Sequence, residues 1–96
     1  MSQANLCVVS IELLIPMSHS LKDKRKQIKS LKDKIKARFN ASVAEIDYLD
    51  DWQRAVLGVS MISNDKNFLE KQCRAIENLL LENRETELLD FDIEWL

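Results

Sequence analysis

Between Ser20 and Phe39 the chain gathers nine of its fourteen Lys and Arg residues beside only two acids, Asp23 and Asp33. This stretch, SLKDKRKQIKSLKDKIKARF, therefore carries +7, and the rest of the chain carries −9. A formal net charge of −2 hides that polarity. Leu21, Ile28, Leu31, Ile35 and Phe39 fall within one stripe when the stretch is turned at about 100° per residue, which predicts an amphipathic helix. Ser20 is a favoured N-cap, and Asp23 brings a carboxylate into the first turn, where the helix dipole favours it. The pair is a capping-box variant with Asp in the usual place of Glu, and Asn40 is a suitable stop. On the same projection Lys22, Arg25, Lys29, Lys32 and Lys36 line up as a basic ridge about 21 Å long. Lys24 falls inside the apolar stripe, so it must snorkel or meet an acid from elsewhere.

The segments around this helix read as strands and a second helix. Leu6 to Ile15 alternates Val9, Ile11, Leu13 and Ile15 with more polar neighbours, as a strand with one buried face does, and Pro16 ends it. Ala41 to Tyr48 is a shorter strand, and Leu49 to Gln53 is its connecting turn. Arg54 to Ile62 is apolar on both faces, which places it centrally in a sheet. Ser63, Asn64 and Asp65 supply caps for a helix running to about Asn83, with Leu69, Cys73, Ile76 and Leu80 as its buried stripe. In the last strand, Glu87 to Leu96, Leu89, Phe91, Ile93 and Trp95 are expected on the core side. Asp90, Asp92 and Glu94 are expected on the other.

The order βαββαβ, with two right-handed crossovers interleaved in one sheet, gives an α+β ferredoxin-like sandwich. Four antiparallel strands in the order 4-1-3-2 then carry both helices on one face. The opposite face is expected to hold Glu12, Glu45, Asp47, Asp90, Asp92 and Glu94 around a neutral centre of Val56, Gly58 and Ser60. Ninety-six residues fit one domain, residues 1–96, able to bury a core without metal or disulfide staples.

Cys7 and Cys73 are far apart and form no CxxC pair, so both are expected as small buried hydrophobes in a reduced, cytoplasmic protein. The apolar runs are too short to span a bilayer, and MSQANLC lacks the layout of a signal peptide. No membrane partner is expected.

SLKDKRKQIKSL, FNASVAEID, DDWQRAVLGVSMISND and the closing LLDFDIEWL resemble the YlxP-like family, a group of small bacterial proteins of unknown function. The resemblance covers essentially the whole chain. It implies the ferredoxin-like fold reached above from the residues. It implies no established activity and no catalytic residues; genes of the family commonly sit among translation and ribosome-maturation genes.

A fold of this class hosts many functions, so each must be argued from residues. Two cysteines cannot hold an iron–sulfur cluster that needs four. A metal chaperone of this topology would place CxxC where this chain has PMSHS, and an acylphosphatase-like loop would need an Arg that is missing there. An RNA-recognition motif would need exposed aromatics on the central strands, and RAVLGVSMI has none. No Ser/His/Asp or Cys/His set is evident, and the one histidine could not supply both, so no enzyme, no cofactor and no metal are expected.

Four features remain. Ser18, His19 and Ser20 lie where a helix N-terminus would welcome an anion, although a plain cap and loop is the commoner explanation. Asp90, Asp92 and Glu94 share a strand face with oxygen ligands for a divalent cation, although a solvated face is the simpler reading. Trp52, next to Asp50 and Asp51, is either a partner anchor or a lid over the core edge.

The fourth feature is the ridge. It lacks the interleaved opposite charges of a merely soluble helix, which points to an anionic partner, although a solvated face is the simpler reading. Two readings follow. Structured RNA, ribosomal RNA included, would be held by phosphate contacts from Lys22, Arg25, Lys29, Lys32 and Lys36, with no DNA expected. Alternatively the module binds protein, its basic helix meeting an acidic surface, including the sheet face of a second copy. The second face of the third strand (Val56, Ser60, Ile62) and the short second strand leave apolar surface and unpaired backbone groups, which also predicts a homodimer.

Overall fold

The structure is a computed structural model that describes residues 3–96. Its elements follow the expected order: β1 (Asn5–Leu14), α1 (Leu21–Arg38), β2 (Ser42–Asp47), β3 (Arg54–Ser63), α2 (Lys66–Glu82) and β4 (Glu87–Trp95). The four strands form one antiparallel sheet in the order β2-β3-β1-β4, which is the predicted order read from the other edge. Here β1 and β3 are central because their inward residues are the most apolar of the sheet. Cys7, Val9, Ile11, Leu13, Ala55, Leu57, Val59 and Met61 are all buried. Onto this floor α1 lays Ile28, Leu31, Ile35 and the capping Phe39, and α2 lays Leu69, Cys73, Ile76, Leu79 and Leu80. Leu21 is only half-buried, at the start of the stripe.

Both helix starts are built as their sequences predict. Ser20 accepts from the Asp23 N–H at 3.0 Å, and Asp65 accepts from the Phe68 N–H at 3.3 Å. The two thiols meet inside the core with their sulfurs 3.9 Å apart. Burial, ahead of the neighbouring Cys7, pushes the Cys73 thiol up to about 12. At neutral pH it stays protonated and packs as an apolar group. Among the described residues no helix is long and apolar enough to cross a membrane.

The register of two strands corrects the expected facing of residues. On β4, Leu13 lies opposite Leu88 while Glu12 lies opposite Asp90, so Leu89 is the extra residue between them. Leu88 takes the inward place and Leu89 is 44% exposed, whereas simple alternation had assigned Leu89 to the core side. On β2, Glu45 pairs with Leu57 and Asp47 with Val56, with Ile46 extra. Glu45 therefore shares Val43's face and points toward the helices rather than joining the acids on the open face. The cause is local: Val43 must reach the core, and a period of two takes Glu45 with it. Ile46 lies over Gly58, whose hydrogen leaves room for it; a Cβ there would stand 3.3 Å from two Ile46 carbons.

Candidate nucleic-acid interface

Which side chains α1 sends to solvent follows from which it buries. With Ile28, Leu31 and Ile35 on the sheet, Lys22, Arg25, Lys29 and Lys36 of the predicted ridge are exposed and Lys32 is half-buried. Lys26, Lys34 and Arg38 are exposed as well, so the basic surface is broader than one ridge. Lys29 is the one ridge residue with an acidic partner among the described residues: its ammonium lies 2.8 Å from Asp33, one turn on. That hydrogen bond raises Lys29 and lowers Asp33 from their ordinary values. The helix thus contains a single i, i+4 opposite pair that alternation of charge would otherwise have repeated. At the C-terminal end the Arg38 guanidinium lies 5.9 Å from the centre of the Phe39 ring, and the basic last turn suits the dipole.

The Ser18–His19–Ser20 segment is arranged around the helix's own carboxylate. His19 donates its backbone N–H to Asp23 at 3.1 Å, and the Ser18 hydroxyl, buried, donates to the Ser20 carbonyl at 3.0 Å. The anion nearest to this helix start is therefore Asp23, and the three residues present no converging hydroxyls.

Lys24 is the one cation of α1 turned inward, with no exposed surface. Its ammonium meets the Glu45 carboxylate at 2.7 Å and donates to the Tyr48 carbonyl at 2.5 Å. The Glu45 oxygen lies at ion-pair distance but off the direction of a hydrogen bond, and no other partner reaches it. Tyr48 is the single non-glycine residue with left-handed backbone among the described residues, at φ 58°. Lys24 thereby ties α1 to the bend that leaves β2.

That bend is braced from a second side. Gln53 donates from its side chain to the carbonyls of Pro16 and Ser18 at 3.2 and 3.1 Å, and its own carbonyl accepts from Ile15. Asp51 accepts from the N–H groups of Gln53 and Arg54. Trp52, on this braced loop, is 56% exposed and forms no lid over the core. Arg54 stacks on Tyr48 at 4.6 Å and pairs with Glu12, a contact between the central strands that the sequence reading did not foresee.

Across the sheet from the helices, Asp90, Asp92 and Glu94 alternate along β4 and are exposed, with Asp47 at the other edge. Among the described residues no three acidic, histidine or cysteine side chains converge closely enough to hold a metal ion. Two opposed fields result: a cationic helix on one layer and a strand of acids on the other.

Comparison with known proteins supplies the family. A protein of Bacillus subtilis (strain 168) described as "Uncharacterized protein YlxP" is 34% identical over 65 residues, covering 68% of this chain and 71% of that protein. The family described as "Protein of unknown function (DUF503)" matches residues 6–93, from the first strand into the last. The chain therefore belongs to the DUF503 family of YlxP-like proteins.

Proposed function

We propose that the protein is a non-enzymatic binding module that holds structured RNA by its phosphate backbone, with the exposed surface of α1 as the contact. One observation supports the reading above the rest. Among the described residues Lys22, Arg25, Lys26, Lys32, Lys34, Lys36 and Arg38 form no ion pair, although fourteen acids lie elsewhere in the chain. Like charges spaced i, i+3 and i, i+4 on a helix are mildly unfavourable without an anion to receive them. Such contacts read backbone shape rather than sequence.

The test is a salt titration of binding to a structured RNA. Three to five phosphate contacts should give a log–log slope of roughly −3 to −5. Reversing Arg25→Glu and Lys36→Glu together should abolish retention and change stability by no more than about 0.5 kcal/mol, because both side chains lie in solvent. Absence of retention by the wild-type chain at low salt would refute the proposal.

The second reading is self-assembly or protein binding, with α1 against an acidic surface. It is favoured by the overall pI of 5.4, low for a dedicated nucleic-acid binder, and by the exposed acids of the open sheet face. Under it, the same double reversal leaves RNA retention untouched and breaks an oligomer or protein complex instead.

A further inference from the structure

The outer edge of β4 is a second surface, separate from α1. As the last strand in the order β2-β3-β1-β4, it pairs with β1 along one side and, among the described residues, has no partner strand along the other. Edges of this length are usually blunted by Lys, Pro or a mid-strand bulge. β4 contains neither Lys nor Pro, and its bulge lies near its start. From Asp90 to Trp95 the strand is regular, opposite Glu12 to Cys7 without interruption.

Beside this edge α2 leaves an open groove of about 810 Å³. Its floor is Ile93 and Trp95, both half-buried against the core, and α2 adds Ala75, Asn67, Asn78 and Arg74 along its wall. The Lys66 ammonium covers Trp95 at 4.8 Å from the ring centre. On the opposite face of the same strand Asp90, Asp92 and Glu94 stand exposed at every second residue, and none has a cationic partner among the described residues.

We propose that this edge takes up an extended segment of a partner protein as a fifth strand, and that the segment alternates Lys or Arg with apolar residues. Strand addition satisfies the free N–H and C=O groups, and alternate side chains then give the specificity. The cationic positions of the added strand fall opposite Asp90, Asp92 and Glu94, where opposite charges attract across neighbouring strands. Its apolar positions fall on the groove beside Ile93 and Trp95. A second copy of this chain does not fit. Two β4 edges would set acid against acid, and the open face of β2 offers Ser42, Ala44 and Asp47, with no cation. The acids also repel a phosphate backbone, so the occupant is peptide and not RNA.

The probe is a peptide alternating lysine and valine over the length of β4, added to the full chain carrying Trp52→Phe so that Trp95 is the single tryptophan. It is expected to shift Trp95 emission and to slow hydrogen exchange of the outward-facing amides between Asp90 and Trp95. Asp92→Lys should weaken binding by about tenfold or more, through a lost attraction and a new repulsion. The milder Asp92→Asn with Glu94→Gln, which keeps shape, should weaken it in the same direction. Unchanged exchange along β4, equal binding by both variants, or equal binding by a peptide with its lysines in one block would overturn the proposal. So would slowing of the same amides by a single-stranded RNA in place of the peptide.

Discussion

Lys24 separates two effects that usually travel together, because it is fully buried and has one acidic partner, Glu45. Lys24→Met removes the cation and leaves Glu45 facing the helix layer uncompensated. Breaking a buried pair this way costs about 3–5 kcal/mol, and because Glu45 keeps slight exposure the lower end is expected. Adding Glu45→Leu to Lys24→Met should recover most of that loss in urea unfolding, since an apolar replacement of the whole pair is often neutral. If the double variant is as unstable as the single one, the tie from Lys24 to the Tyr48 carbonyl matters more than the charge pair. The position of Lys24 inside an apolar stripe was legible in the sequence, as was the choice between snorkelling and meeting an acid, which the structure decides for the acid. Which acid was not, because Glu45 had been expected with Asp47 on the open face, whereas the period of two puts it on the inward face with Val43.

At the scale of elements, α1 was the most legible part of the chain, since its start, stop and buried stripe are all written at helical spacing. Leu31, almost wholly buried at the centre of that stripe, tests its packing: Leu31→Ala should destabilise by about 2–5 kcal/mol, measured by denaturant unfolding. Asp33 tests its charge. Asp33→Asn frees Lys29, so under the RNA proposal the salt slope should steepen by about one contact's worth, 0.7–0.9. Acid should act in the same direction. Lys29 holds Asp33 below its ordinary value, so the pair's contribution is complete above the ordinary carboxylate range and disappears as pH falls through the depressed one. The strands were legible as strands but not in the facing of every residue. A bulge inserts one residue without any local marker, and Leu88-Leu89 offers two identical side chains for one inward place. Alternation counted from the strand's end chose Leu89; the register with β1 chooses Leu88.

For the whole molecule, the sandwich followed from the order of elements, while the contest between RNA and protein partners remains one of chemistry at two opposed surfaces. Sedimentation velocity from low to high micromolar concentration addresses self-assembly directly. Under the second reading the sedimentation coefficient rises with concentration, and Ile62→Asp, at an exposed apolar position of the open face, or the Arg25/Lys36 double reversal lowers it again. A concentration-independent monomer would remove the self-assembly form of that reading and leave α1 to RNA or to the acidic surface of another protein.

The strand order also has a consequence for how the chain is made. β1 lies between β3 and β4, so the first strand synthesised is completed by the last: Cys7 waits for Trp95. At about 5–20 residues per second, roughly 4–18 s separate the two on a translating ribosome. Throughout that interval β1 has an unpaired edge and α2 has no complete floor, so the nascent chain cannot close its core early. A version arrested before Glu87 should remain protease-sensitive on the ribosome, and release of the strand Glu87–Trp95 should make resistance appear in one step.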